Sequence, residues 1–152
     1  MKITIKKSPT ADTRTCDWTN VSQDQLYYSS IQHISDVQLA MQRFILLMNE
    51  AAVNHDHTKI GELEQFYADF KTGFKQQSWY DMHKATERHH INHPDGCRDD
   101  VNLIDVLEHI ADCVMAGKAR AGSVTKLELP NEVLQKAFEN TWKLLDSIVD
   151  VE

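Results

Sequence analysis

Apolar residues recur at spacings of three and four along most of the chain, which is the pattern of amphipathic helices. The first such stretch covers about residues 23–53 and predicts one long helix. Its apolar face is formed by Val37, Met41, Phe44, Met48, Ala51 and Ala52. His33 lies on the same face, so we expect this imidazole to point towards the interior.

The segment before this helix has a different pattern. Residues 2–6 alternate between polar and apolar side chains and predict a short strand. The residues from there to 22 show little periodicity. We therefore interpret residues 1–22 as an N-terminal arm laid on the domain.

Four further helices are predicted after a turn at residues 54–61. They cover residues 62–70, residues 78 to about 90, a stretch after the loop at 92–96, and residues 131 to about 149. The side chains expected inside are Leu63, Phe66, Tyr67, Phe70, Leu103, Ile104, Leu107, Ile110, Ala111, Val114, Val133, Leu134, Ala137, Phe138, Trp142, Leu145 and Ile148. The predicted fold class is all-α, with residues 23–152 forming a single-domain helical bundle.

Residues that favour helix ends support these boundaries. Asp99 or Asp100 can cap the helix that follows the loop, and Gly117 and Gly122 mark its end. Pro130 lies just before the last helix, where proline fits the first helical turn.

Composition excludes several classes of protein. The length of 152 residues suits one domain, and no apolar run approaches the ~20 residues of a transmembrane helix. The net charge of −7 argues against a nucleic-acid-binding surface, which needs a basic face. The three cysteines lack CxxC spacing, and the first residues lack the apolar stretch of a signal peptide. We therefore expect a cytoplasmic protein with reduced thiols and no membrane partner.

Side chains that bind metal ions are spaced along the middle of the chain. In chain order they are His33, His55-Asp56, His83, His89-His90 and Asp112. Imidazole and carboxylate groups hold Zn, Mn, Fe or Ni at neutral pH. An adjacent His-Asp pair offers two neighbouring ligands from one part of the backbone. This order indicates a metal-dependent hydrolase.

The same order on a helical scaffold resembles the HD-domain superfamily of metal-dependent phosphohydrolases, over about residues 32–120. The likeness is greatest to small uncharacterised HD-like proteins of bacteriophages and bacteria. Their His-Asp-x-Ser/Thr-Lys motif, followed by His-x5-His-His, corresponds here to His55-Asp56-His57-Thr58-Lys59 and to His83 with His89-His90. The stretch Ala137-Phe138-Glu139-Asn140-Thr141 also resembles the last helix of this group. Lys59 matches the lysine of the HD-GYP branch, but the Gly-Tyr-Pro element is absent, which argues against cyclic-di-GMP as the substrate.

The resemblance implies a set of ligands for one or two divalent transition-metal ions (Mn, Fe, Co, Ni or Zn). The first ion would be held by His33, His55, Asp56 and Asp112. The second would be held by His83 and by one or both of His89 and His90, with Asp56 bridging. Ile110-Ala111-Asp112 resembles the closing motif of the family, while Glu108 and Asp105 remain alternatives for the last acidic ligand. The three other histidines are expected near the ligands or at the surface: His57, His93 and His109.

The expected function is a phosphohydrolase that acts on a nucleotide or a related anionic phosphoester. Asp56 and Lys59 are its predicted catalytic residues, and Lys59 would contact phosphate oxygens as a fixed cation; Arg14 and Arg88 are alternative cations for that role. An acidic protein is compatible with such a substrate, because bound metal ions supply local positive charge. Two alternatives remain open: a di-iron oxygenase of the HD type, and a non-catalytic binding module with a vestigial site. The oligomeric state is not predicted.

Overall fold

The computed structural model describes residues 2–8, 10–11, 14, 16–92 and 97–152, and these residues are mostly helical. The elements in chain order are β1 (Ile3–Ile5), α1 (Gln23–Asn54), α2 (His57–Gly61), α3 (Leu63–Lys71), α4 (Ser78–Thr86), α5 (Leu103–Ala121), α6 (Asn131–Asp146) and β2 (Val149–Val151). The chain divides into two compact units, Met1–Leu46 with Lys143–Glu152, and Leu47–Trp142. The predicted helical class is confirmed, whereas the predicted division at residue 22 stays a prediction.

Two predicted helix ends, one predicted cap and part of the predicted turn at residues 54–61 are wrong, the last because residues 57–61 form the helix α2. The helix α4 ends at Thr86, so the following histidine pair lies outside it, and α6 ends at Asp146 rather than near residue 149. The cap of α5 is Asn102, whose side chain accepts a hydrogen bond of 2.8 Å from the backbone N–H of Ile104. Asp105 completes a capping box by accepting from the backbone N–H of Asn102 at 2.9 Å. This reciprocal pair explains why α5 begins later than the aspartates favoured by the sequence pattern.

The first unit contains a two-stranded parallel sheet. The strand β1 confirms the predicted strand, and it pairs with β2 with Ile3 opposite Val149. The backbone N–H of Ile3 donates to the carbonyl of Ile148 at 2.8 Å, and that of Glu152 donates to Ile5 at 2.9 Å. The sequence pattern missed β2, because its three residues directly continue the apolar spacing of α6.

Several helix faces that were expected inside are exposed. In the first unit His33, Val37 and Met41 are exposed, so the expectation that His33 points inward is wrong. The same correction applies to Met48, Ala52, Leu63, Tyr67, Phe70, Leu107, Ile110, Ala111, Leu134, Phe138 and Trp142. The spacing of apolar residues determines which positions share a helix face, but it does not determine whether another element covers that face.

The core of the second unit is small. Ile91, Val101, Val106 and Ala137 form its buried apolar cluster. Trp79, which is not part of this cluster, is also buried, with its ring stacked on that of Phe66 at 4.3 Å and on that of His83 at 4.7 Å. The packing of this unit therefore fixes one of the predicted metal ligands directly.

None of the helices in the described ranges is both long and apolar enough to span a membrane.

Candidate metal centre

The His-Asp doublet lies in the tight turn between α1 and α2. Asp56 has a φ of 55°, in the left-handed region that aspartate enters more readily than most residues. This turn places His55 Nε2 at 3.4 Å from Asp56 Oδ2. The doublet therefore presents an imidazole and a carboxylate side by side, as two ligands of one ion require.

The helix α4 brings His83 to the doublet. Asp69 is buried, and its carboxylate accepts hydrogen bonds of 3.1 Å from the backbone N–H groups of Gln77 and Tyr80 at the start of α4. These bonds satisfy N–H groups that a helix leaves unpaired at its start. His83, one turn further along, is 1% exposed, and its Nε2 lies 3.4 Å from Asp56 Oδ1.

The His89-His90 pair lies after α4, in a segment fixed by its neighbours. Arg88 donates from Nε to Asp105 at 2.7 Å and from a terminal nitrogen to Asp100 at 2.8 Å. These two carboxylates raise the pKa of the Arg88 guanidinium. His109 Nδ1 contacts the backbone carbonyl of His89 at 3.0 Å. Since Arg88 is committed to these contacts, it is a weak candidate for binding a phosphate.

Asp56 belongs to two groups of ligand atoms, each close enough to share an ion. One group is His55, Asp56 and His89, and the other is Asp56, His83 and His90, with the atoms of each group within 4.8 Å of one another. His89 Nε2 lies 3.6 Å from Asp56 Oδ1, and the Nε2 atoms of His83 and His90 are 2.9 Å apart. Donor atoms bound to one tetrahedral or octahedral ion at about 2.0–2.2 Å lie roughly 3.0–3.5 Å apart. The contacts of 2.9–3.6 Å are close to that spacing, and the other pairs of ligand atoms in each group lie within 4.8 Å.

Unpaired buried atoms lie at the middle of this arrangement. Asp56 Oδ1 and His89 Nε2 are buried without a hydrogen-bond partner, whereas His89 Nδ1 lies 3.0 Å from Glu108 Oε1. A buried polar atom left without a partner costs about 1–3 kcal/mol. Because the unpaired atoms are a carboxylate oxygen and an imidazole nitrogen, a divalent cation is a partner that suits both. The residues present therefore fit a metal centre.

A buried relay fixes the protonation of His83. The backbone N–H and the hydroxyl of Thr58 both donate to Glu87 Oε1, at 3.0 Å and 2.6 Å. Since the only hydroxyl proton of Thr58 goes to Glu87, its oxygen must accept from His83 Nδ1 at 2.7 Å. Burial lowers the pKa of His83, so the ring is neutral at pH 7 and its Nε2 lone pair points to the site.

His55 is oriented by a comparable contact. Its Nδ1 lies 2.9 Å from Glu108 Oε1. Burial alone would raise the pKa of Glu108, but hydrogen bonding to His89 and His55 outweighs burial and lowers it. An ionised Glu108 can only accept, so His55 donates from Nδ1 and keeps Nε2 free for an ion.

The other ionisable groups of the site also suit cation binding. Burial and the neighbouring His89 and His83 lower the pKa of His90 to about 4. Burial would lower the pKa of His89 too, but the carboxylate of Glu108 outweighs it and raises that pKa. Burial would raise the pKa of Asp56, but Lys59 outweighs it and lowers that pKa. At pH 7 the site thus holds an ionised carboxylate and at least two neutral imidazoles.

The sequence left three acidic residues as alternatives for the last ligand, and their contacts in the structure distinguish them. Asp105 is bound to Arg88 and to the cap of α5, whereas Glu108 faces the Nδ1 side of His55. Asp112 Oδ1 lies 3.8 Å from His55 Nε2, on the side where an ion would bind. This geometry favours Asp112, as the sequence pattern does.

The remaining predicted residues take different positions. His33 is in the first unit and belongs to neither group, so its role as a ligand stays a prediction. His57 Nδ1 lies 3.2 Å from Glu87 Oε1, and His93 lies outside the described residues. Lys59 forms an ion pair with Asp56 Oδ2 and is 37% exposed. Sequence reasoning missed Glu87, although its position four residues after His83 on a helical stretch was a usable signal.

No family model matches the chain, and neither a curated protein nor a solved structure matches it. The likeness to the HD-domain superfamily therefore rests on the motif residues and on the helical scaffold.

Proposed function

We propose that this chain is an HD-like, metal-dependent phosphohydrolase with a two-ion centre, acting on a nucleotide or a related phosphoester. The observation that carries the proposal is the sharing of Asp56 between two groups of ligand atoms. A carboxylate between two sets of imidazoles is the arrangement that a pair of divalent ions needs. Two such ions would stabilise negative charge on a phosphate and lower the pKa of a bound water.

Individual residues have distinct roles in this proposal. Asp56 Oδ1 lies near one imidazole of each group, at 3.4 Å from His83 and 3.6 Å from His89, so that one side chain could serve both ions. Lys59 is partly exposed beside Asp56 and can donate to phosphate oxygens. The imidazole-rich donor set favours Zn, Fe or Ni over Mg or Ca, which prefer oxygen ligands.

The same donor set would also suit a di-iron oxygenase. Lys59 favours an anionic substrate but does not decide between the two reactions. Dependence on dioxygen decides, because hydrolysis proceeds equally well without it. The experiment below therefore includes an anaerobic arm.

The test is metal analysis of protein purified without chelators, followed by a screen of nucleotides and phosphoesters with Mn, Fe, Co, Ni and Zn. We expect about two ions per chain and phosphate release that is equal in air and under nitrogen. Asp56→Ala should lose both ions and the activity. Asp81→Ala is the matched control, because Asp81 is an exposed acid on α4 whose partner is Lys84.

Full metal content and turnover in Asp56→Ala would refute the assignment of the centre. Turnover that requires dioxygen would favour the oxygenase. Absence of bound metal in the parent protein, even after incubation with each ion, would favour a binding module with a vestigial site.

A further inference from the structure

An apolar cavity lies against the candidate metal centre within the second unit. Its volume is about 400 Å³, and seven of its ten lining residues are apolar. The apolar wall includes Met48, Ala51, Leu107 and Met115, contributed by the end of α1 and by α5. A cavity of this size is within the range of small-molecule sites, which is about 300–1,000 Å³.

The cavity is continuous with the centre. His55 and Asp112 line it, and the Nε2 of His55 is one of the atoms that would hold an ion. A substrate whose phosphate is bound at the centre would therefore place its next group in the cavity. Leu107 and Met115 are half exposed or more, so a ligand can enter from solvent.

The charges on the wall restrict what that next group can be. The residues that line the cavity include no lysine or arginine, and their charged members are the carboxylates of Glu108 and Asp112. A second phosphate would meet these carboxylates and an apolar surface, and it would lose its hydration without gaining a cation. An uncharged ring would instead bury apolar area, and the thioethers of Met48 and Met115 pack well on aromatic faces.

We propose that this cavity binds an uncharged aromatic group of the substrate, such as a nucleobase or an aryl ring, directly beside the phosphate held at the metal centre. The inference rests on the proposed function, since the metal centre must hold the phosphate. It narrows the substrate class to aryl or nucleoside phosphoesters that place one phosphate at the centre. A polyphosphate chain does not fit the same cavity.

The test uses three non-hydrolysable probes and the Zn²⁺-loaded protein, with affinities measured by calorimetry. Methylphosphonate reports binding of the anion, phenylphosphonate adds the ring, and phosphonoacetate adds a second negative charge. Since one extra methylene in an apolar pocket is worth roughly 10-fold or more, we expect phenylphosphonate to bind at least about 10-fold tighter than methylphosphonate. Phosphonoacetate should bind no tighter than methylphosphonate.

Two phenylalanine variants test whether the tighter binding of phenylphosphonate arises in the cavity. Ala111 lines the cavity on α5, so Ala111→Phe should abolish the advantage of the phenyl group while the metal content stays that of the parent. Ala119→Phe is the matched control, because Ala119 is an exposed alanine of the same helix outside the cavity wall. This control should keep the advantage.

The outcomes separate the two proposals. If methylphosphonate binds but phenylphosphonate binds no tighter, the aromatic cavity is refuted and the phosphohydrolase remains. A phenyl advantage that survives in Ala111→Phe, or tighter binding of phosphonoacetate, would also overturn the cavity. If the metal-loaded protein binds none of the three probes, the phosphohydrolase fails and the cavity proposal fails with it.

Discussion

Removing ligands one at a time should change the number of bound ions in a defined way. His55 belongs to one group of ligand atoms, His90 to the other, and Asp56 to both. We therefore expect His55→Ala and His90→Ala each to retain one ion and Asp56→Ala to retain none. A single-ion site that uses all these residues would lose its only ion in each variant.

The magnitude follows from the number of ligands. Structural zinc sites with four ligands bind with about 10–16 kcal/mol, so each ligand contributes roughly 3–4 kcal/mol. Loss of one ligand should therefore weaken the affected ion by about 10²-fold or more. The distances of 3.4 Å from Asp56 to His55 and to His83 are close to those in a bound site, so these two contacts lose little free energy in distortion when an ion binds.

The assay is equilibrium dialysis against Zn²⁺ at pH 7.5, with metal content measured by mass spectrometry and folding checked by circular dichroism. His33→Ala completes the set, because His33 is exposed and lies outside both groups. We expect this variant to retain both ions. Loss of one ion in His33→Ala would instead support the ligand predicted from the sequence, and retention of two ions in Asp56→Ala would refute the bridging role.

Three further outcomes follow from the same geometry. Thr58→Val removes the hydroxyl oxygen that accepts from His83 Nδ1. The ion bound by Asp56, His83 and His90 should therefore bind about 10–100-fold more weakly by dialysis. Lys59→Met should keep the metal content and melting temperature but lower turnover by about 10²-fold, because the lost charge lies beside Asp56, where the proposed phosphate would bind, and is not a ligand. On lowering the pH from 8 to about 6, the ion bound with His89 should dissociate before the ion bound with His90, because the pKa of His89 is raised whereas that of His90 is about 4.

Matched controls make these outcomes specific. Thr86→Val changes an exposed threonine of α4 and should leave both affinities unchanged. Lys71→Met removes an exposed lysine of α3 and should leave turnover unchanged. Unaltered metal binding in Thr58→Val would mean that the relay does not orient a ligand, and unaltered turnover in Lys59→Met would assign the phosphate to another cation. Simultaneous release of both ions on acidification would contradict the expected effect of the difference in pKa between His89 and His90.

The helices were predictable because their apolar spacing is local information. The helix α1 was located within one residue at its C-terminal end, and α6 begins after Pro130 as expected. The end of α4 was not predictable, since the residues after Thr86 leave the helix to make contacts distant in sequence, such as that of Arg88 with Asp105. The strand β2 depends on pairing with β1 at the other end of the chain, which no local pattern reveals.

The site was predictable as a set of residues but not as a set of contacts. The sequence motif gives the order of the ligands but leaves open whether His89, His90 or both bind the second ion, whereas the structure groups His90 with His83 and His89 with His55. Likewise, Glu108 and Asp112 occupy neighbouring turns of α5, and only the geometry shows that Glu108 reaches the Nδ1 side of the imidazole. Helical spacing determines which face of α5 a residue occupies. Which ring nitrogen of His55 that residue contacts depends on how the imidazole itself is oriented.

The clustering of unpaired atoms has a thermodynamic consequence. In the second unit, the buried polar side-chain atoms that lack partners within the described ranges are Trp79 Nε1, Asp56 Oδ1 and His89 Nε2, since His89 Nδ1 faces Glu108 at 3.0 Å. Two of these three atoms, Asp56 Oδ1 and His89 Nε2, lie 3.6 Å apart, where a single ion can satisfy both. At about 1–3 kcal/mol each, these two atoms destabilise the metal-free fold by roughly 2–6 kcal/mol, compared with the roughly 5–15 kcal/mol of stability of a typical domain. A cation that binds there offsets this cost only in the folded chain, so folding of the second unit and metal binding are thermodynamically linked.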